Sequence, residues 1–161
     1  MKINFILNGE DVIYQGESGS RLIDILRGSF GLFGSKPGCI SGQCGACTVI
    51  CDGEVVPACL IPAFKIKGCE IITIEGFSQT NEYNEIITAF TDVHLGNCGY
   101  CEPGKILCAE SLLDRFSDPT KEEILHAFSG IKCRCTNTER LILAVKKIAD
   151  IRTRRQHGFS S

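Results

Sequence analysis

No stretch of the 161-residue chain approaches the ~18 consecutive apolar residues of a membrane span. The formal net charge is −2, so no excess of either sign holds the chain on nucleic acid or on a membrane surface, and neither is expected as a partner. The N-terminus M-K-I-N-F-I-L-N-G-E has too short an apolar run for a signal peptide and carries no twin arginine; a cytoplasmic, reducing setting is expected. The sequence also lacks a Ser-His-Asp arrangement, a phosphate-binding glycine loop and a dinucleotide fingerprint. Histidine is scarce, and His94, His126 and His157 are not expected to replace thiolates as two histidines do in a Rieske centre. No catalytic residue is therefore expected on this chain, and no internal repeat or low-complexity tract is visible.

Cysteine is what the chain has in excess, with eleven residues, beside a hydrophobic content of 43% that suffices for one core or two small ones. In a reducing compartment metal ligation outranks disulfide pairing. Cys39, Cys44, Cys47 and Cys59 follow C-x4-C-x2-C and then one more cysteine after eleven residues. That is the plant-type spacing for thiolates around a [2Fe–2S] cluster. Between them, Ser41, Gly42, Gly45 and Ala46 are small enough for tight turns that bring backbone N–H groups towards negatively charged sulfur.

Around this motif the first half reads as a small mixed sheet. Lys2–Leu7 and Asp11–Tyr14 flank Asn8-Gly9, and Thr48–Cys51 and Glu54–Val56 flank Asp52-Gly53, two hairpin signals whose turn residues accept positive φ. Ser20 is expected to cap a helix with Leu22, Ile25 and Leu26 on its apolar face, and Glu70–Ile74 adds a strand. This is ferredoxin-like β-grasp content. After Gly76 the periodicity becomes helical, with 77–81 as linker. Helices are expected over 85–95, after Pro103, after the Thr120/Glu123 capping-box pattern, and after Thr138. Four helices of this length bury their stripes as a bundle. The fold class is thus α+β, a β-grasp domain over 1–76 followed by a helical domain over 77–161. Arg152, Arg154 and Arg155 read as a solvated basic terminus.

The helical half carries Cys98 and Cys101 as C-G-Y-C and Cys133 and Cys135 as C-R-C. A bundle that joins the two interhelical loops presents four thiolates at one point, a set that suits zinc as well as an iron–sulfur cluster. A plant-type motif followed by C-x2-C, thirty-one residues and C-x-C resembles the iron–sulfur subunit of the molybdenum hydroxylases, the family of xanthine dehydrogenase. The resemblance covers nearly the whole chain. It implies a second [2Fe–2S] cluster on Cys98, Cys101, Cys133 and Cys135, next to molybdopterin on a large subunit, with the cluster of Cys39, Cys44, Cys47 and Cys59 beyond it towards FAD on a medium subunit. The chain would be the non-catalytic electron-transfer subunit of that oxidoreductase; the alternative is a free-standing two-cluster ferredoxin-type carrier.

The sequence departs from the family pattern only in the C-terminal half. Asn97 stands where a pterin-contacting glutamine is usual and Glu102 where threonine is usual, while Ile131, Lys132, Asn137 and Thr138 are also atypical. Cys51, Cys69 and Cys108 lie outside both patterns and read as small buried hydrophobes. Lys132 and Arg134, flanking the C-x-C pair, are either solvated or a source of positive charge that raises a cluster's potential.

Overall fold

The computed structural model describes residues 1–95 and 98–158. It is a mixed α/β structure with a five-stranded sheet and six α-helices among these residues. In the sheet, β1 (Lys2–Leu7) and β2 (Glu10–Gln15) form one antiparallel hairpin, and β3 (Thr48–Cys51) and β4 (Glu54–Pro57) form another. Both turns have two residues at positive φ, Asn8 and Gly9 in one, Asp52 and Gly53 in the other, which matches the twist of the flanking strands. The last strand, β5 (Glu70–Ile72), lies parallel to β1 and antiparallel to β3, giving the order β2-β1-β5-β3-β4. It is shorter than expected because the Asn8 side chain accepts the Thr73 N–H (2.8 Å) and ends the ladder. Thr73 then leads into the single turn α2 (Ile74–Phe77).

Helix α1 (Leu22–Gly28) shares a core with the sheet. Ser20 does not cap it: Arg21 occupies the N-cap without a side-chain bond, and the Ser20 hydroxyl instead accepts from Tyr14 (2.9 Å). Ile23 is as buried as Leu22, Ile25 and Leu26, so this short helix is apolar on more than one face and sits inside its core with Ile3, Phe5, Val49 and Ile71.

In the second half, α3 (Asn81–Asp92) begins four residues earlier than its periodicity predicts because Thr80 caps it, accepting from the Tyr83 N–H. Then α4 (Glu102–Arg115) starts with Pro103 in its first turn. The capping box of α5 (Lys121–Ala127) forms as read, with Thr120 and Glu123 exchanging bonds. The last helix, α6 (Thr138–Gly158), extends through the arginines. Arg152 is not a solvated tail residue. Half-buried, it bridges Glu85 of α3 (3.1 Å) and Glu110 of α4 (2.6 Å), and Arg155 also pairs with Glu85. The pair α3 and α5 each pack on both α4 and α6, around a core that includes Ile86, Leu107, Ile124 and Ile148.

Strand β3 joins the halves. Successive side chains on a strand face opposite ways, and here Val49 enters the sheet–α1 core while Ile50 enters the helical core. All of Thr48, Val49 and Ile50 are buried as a result. Gly104 of α4 lies against the start of this strand and the loop before it so closely that a Cβ there would lie 3.2 Å from Thr48 Cβ and 2.5 Å from the Gly45 carbonyl oxygen. No described helix is long and apolar enough to cross a membrane.

Candidate metal centres

Each half places four thiols on two adjoining segments, and in each the set has an inner and an outer pair. In the first half, Cys47 immediately precedes β3 and Cys59 follows β4, so the Thr48–Pro57 pairing brings these two buried residues side by side at the open end of the hairpin. Cys39 and Cys44 lie outward on the preceding loop, Cys39 exposed and Cys44 half-buried. Burial, reinforced by Cys59, pushes the Cys47 thiol up to about 11.

The loop is shaped around the Cys39 sulfur. Ile40 (φ 57) and Gly42 (φ 73) turn the chain back, so that the N–H groups of Ser41, Gln43 and Cys44 point at Cys39 Sγ from 3.4, 3.2 and 3.3 Å. A β-branched residue at positive φ costs ~1–3 kcal/mol and persists where the surroundings impose it. Bonds from the Ser41 hydroxyl and N–H and from the Gln43 N–H hold the Cys39 thiol down at about 6. A sulfur collecting several donors is prepared to be a thiolate, the form that binds iron. The donor set therefore fits an anionic iron–sulfur group.

In the second half, Cys98 and Cys101 precede and open α4, while Cys133 and Cys135 lie on the segment before α6. The tertiary fold does bring the two segments together. Cys101 and Cys133 are in hydrogen-bond contact as the inner, half-buried pair, and Cys98 and Cys135 as the outer, exposed pair. Burial pushes Cys101 up to about 11, helped by Cys133. At Cys133 burial acts the same way but is outweighed by bonds from the Thr136 hydroxyl and Cys101, with the Lys105 charge adding to them, and the thiol falls to about 7. The charged Lys105 Nζ lies 3.9 Å from Cys133 Sγ. Sequence reasoning passed over this lysine, since a charged residue near the start of a helix reads as surface.

The two loops also touch. The Lys132 N–H, one residue before Cys133, donates to the carbonyl of Cys44 (3.0 Å). The Tyr100 hydroxyl, between Cys98 and Cys101, donates to the Pro37 carbonyl. Gly45 (φ +76) permits the approach, because a Cβ there would lie 2.8 Å from the Gly130 oxygen and 2.9 Å from Ile131 Cα.

Cys108 is a buried small residue as read, donating to the Ala127 carbonyl. Cys51 and Cys69 are not buried hydrophobes: both are half-exposed and lie with Asp52 within 4.8 Å of one another at the far end of β3, where burial, then Asp52 and Cys51, push the Cys69 thiol up to about 12. His94, His126 and His157 are exposed, as are Lys132 and Arg134. Asn137 caps α6, its side-chain oxygen accepting from the N–H groups of Glu139 (2.9 Å) and Arg140 (3.2 Å). Asn97 lies outside the described residues.

Comparison with known proteins finds a separate match for each half. Residues 5–68 match the 2Fe-2S iron-sulfur cluster binding domain and residues 73–146 the [2Fe-2S] binding domain. The chain is 44% identical over 144 residues to the nicotinate dehydrogenase small FeS subunit of Eubacterium barkeri, covering 89% of this chain and 92% of that one. Quinoline 2-oxidoreductase from Pseudomonas putida 86 superposes with a TM-score of 0.86 at 36% identity over 96% of both chains. The aldehyde oxidoreductase of Desulfovibrio gigas superposes at 0.85 and 34% identity over 96% of this chain but only 17% of that larger one. The chain therefore belongs to the iron–sulfur small subunits of the molybdenum hydroxylase, or xanthine dehydrogenase, family.

Proposed function

We propose that this protein is the electron-transfer subunit of a molybdopterin-dependent hydroxylase, carrying electrons between a molybdopterin-binding large subunit and an FAD-binding medium subunit. Cys39, Cys44, Cys47 and Cys59 would hold one [2Fe–2S] cluster in a ferredoxin-like β-grasp domain spanning 1–76. Cys98, Cys101, Cys133 and Cys135 would hold the second in a four-helix-bundle domain spanning 77–161. The two hydrophobic cores and the two domain matches support that division. When bound, such clusters supply one-electron redox chemistry. The chain's own contribution is to hold thiolates, aim donors at them and keep the two sites at a set separation.

The observation that carries the reading is the contact between the loops. Lys132 N–H to Cys44 O joins a residue next to one thiol set directly to a member of the other. A protein that merely stored metal in two places has no need of it. Phe33, Leu60 and Tyr100 are exposed large apolar residues close in sequence to the site cysteines, the kind of surface that a permanent subunit interface covers. The free thiols support a cytoplasmic, reducing location.

Rapid-freeze EPR of the assembled complex under single turnover tests the order of transfer. With Cys133→Ser, substrate should leave the N-terminal cluster oxidised; with Cys47→Ser, substrate should still reduce the C-terminal cluster while FAD reduction slows sharply. Normal reduction of the N-terminal cluster without the C-terminal one would make the relay untenable and favour the free-standing carrier.

A further inference from the structure

Lys105 is only 1% exposed, and among the described residues it is the one charged side chain that is fully buried. Its position is set by α4, whose Pro103-led first turn runs inward behind Cys101 and carries the lysine into the space between α4 and the Cys133–Thr136 segment. There Nζ donates to the Thr136 hydroxyl (2.6 Å) and approaches Cys133 Sγ (3.9 Å). Leu125, Phe128, Ile131 and Leu141 line the rest of a cavity of about 120 Å³. No carboxylate among the described residues forms an ion pair with it.

A buried ammonium is retained only where an anion compensates it. The anion this one faces is the C-terminal thiolate set. Lys132 and Arg134 lie nearby in sequence, but both are exposed, where water and salt screen them. At the N-terminal site the groups reaching Cys39 are neutral N–H and hydroxyl donors. The charge at Lys105 is therefore buried, and the thiol it touches is in the C-terminal set.

We propose that Lys105 is a positioning residue that raises the reduction potential of the C-terminal cluster by stabilising the added electron, without ligating iron. This rests on the C-terminal set holding a [2Fe–2S] cluster. A full charge close to the thiolates in a low-dielectric pocket favours the reduced form strongly, whereas a distant surface charge hardly does. Its loss is expected to shift the reduced-to-oxidised ratio at fixed ambient potential between tenfold and a hundredfold, that is ~59 to ~118 mV for one electron.

The test is an EPR-monitored potentiometric titration of the full-length protein with both clusters loaded, using dithionite as reductant and ferricyanide as oxidant. Lys105→Met should lower the C-terminal midpoint by that amount and leave the N-terminal midpoint in place; Lys105→Arg should retain the wild-type value. An unchanged C-terminal midpoint in Lys105→Met, or an equal shift of both clusters, overturns the proposal. If Lys105→Met fails to load the second cluster, Lys105→Gln replaces it in the titration. Should that variant also fail, loading of Lys105→Arg with the wild-type midpoint supports a charge requirement, and its failure assigns the residue to packing and overturns the proposal. A wild-type protein with a single EPR signal and half the expected iron would instead sink the two-cluster reading itself, before any variant is made.

Discussion

At the N-terminal site the charge on Cys39 is met from within one loop, by the Ser41 hydroxyl and by the N–H groups of Ser41, Gln43 and Cys44, which turn onto the sulfur because Ile40 and Gly42 accept a left-handed conformation. At the C-terminal site the N–H groups of Tyr100 and Cys135 also reach sulfur, but Cys133 is met in addition by the Thr136 hydroxyl and the buried Lys105 ammonium, delivered from a loop and a helix far apart in sequence. The same ligand chemistry is thus supported in two ways. Donors from one loop are supplied by residues within five positions of the sulfur they serve; a buried cation needs the helical half to be assembled around it. The first site should tolerate changes in the helices better than the second.

The largest expected effect is on metal content. The intact protein should carry about four iron and four acid-labile sulfide, since each thiol set suits one binuclear cluster. Cys44→Ser and Cys133→Ser should each remove about half, and EPR of the reduced proteins should lose or perturb a different signal in each. If either substitution abolished both signals in a folded protein, or if zinc filled one set, the two sites would not be an independent pair of clusters.

A smaller effect is expected where the two sites meet. Gly45→Val forces a β-branched residue to φ +76 and drives its Cβ against Gly130 and Ile131. The strain alone costs ~1–3 kcal/mol, read as a lower midpoint in urea unfolding. The contact between Lys132 and Cys44 should open, so any magnetic interaction between the reduced clusters should weaken while each stays loaded. Retention of wild-type stability would show that the loops can separate freely.

The smallest effect concerns Glu75, which reaches from α2 to the first loop and accepts from the Gly34 N–H (2.7 Å) and the Thr73 hydroxyl (2.7 Å). Burial works against its ionisation, but these bonds and the nearby Lys36 outweigh it and hold the carboxyl below its usual range. A carboxyl whose folded value is depressed stabilises the protein above its unfolded value of about 4.3, and this is lost as pH falls through the folded value. Glu75→Gln should therefore cost ~1 kcal/mol at pH 7, and the gap from wild type should close below about pH 4. A gap that stays constant with pH would assign Glu75 a steric role.

Much of the site was legible because its signals are short-range. Three of the four N-terminal ligand candidates lie within nine residues, Asn8-Gly9 and Asp52-Gly53 form the turns their types require, and Thr120 and Glu123 cap a helix across a single turn. Where local signals competed, the reading failed. Ser20 has the chemistry of a helix cap, but the Tyr14 hydroxyl occupies it, and Thr73 looks like strand until the Asn8 side chain takes its N–H.

The sequence by itself determined the plant-type spacing of Cys39, Cys44, Cys47 and Cys59, the two hairpin turns and, through its cysteine motifs, the resemblance to the family, since all of these lie along one dimension of the chain. Only the tertiary structure decided that Arg152 is an internal bridge, that Cys51 and Cys69 lie together, that Lys132 ties the two loops and that Lys105 is buried beside Cys133. The physical reason is common to them all. A charged or thiol side chain carries no mark of its surroundings in its own sequence neighbourhood; burial and partners are set by which distant surfaces the cores bring together.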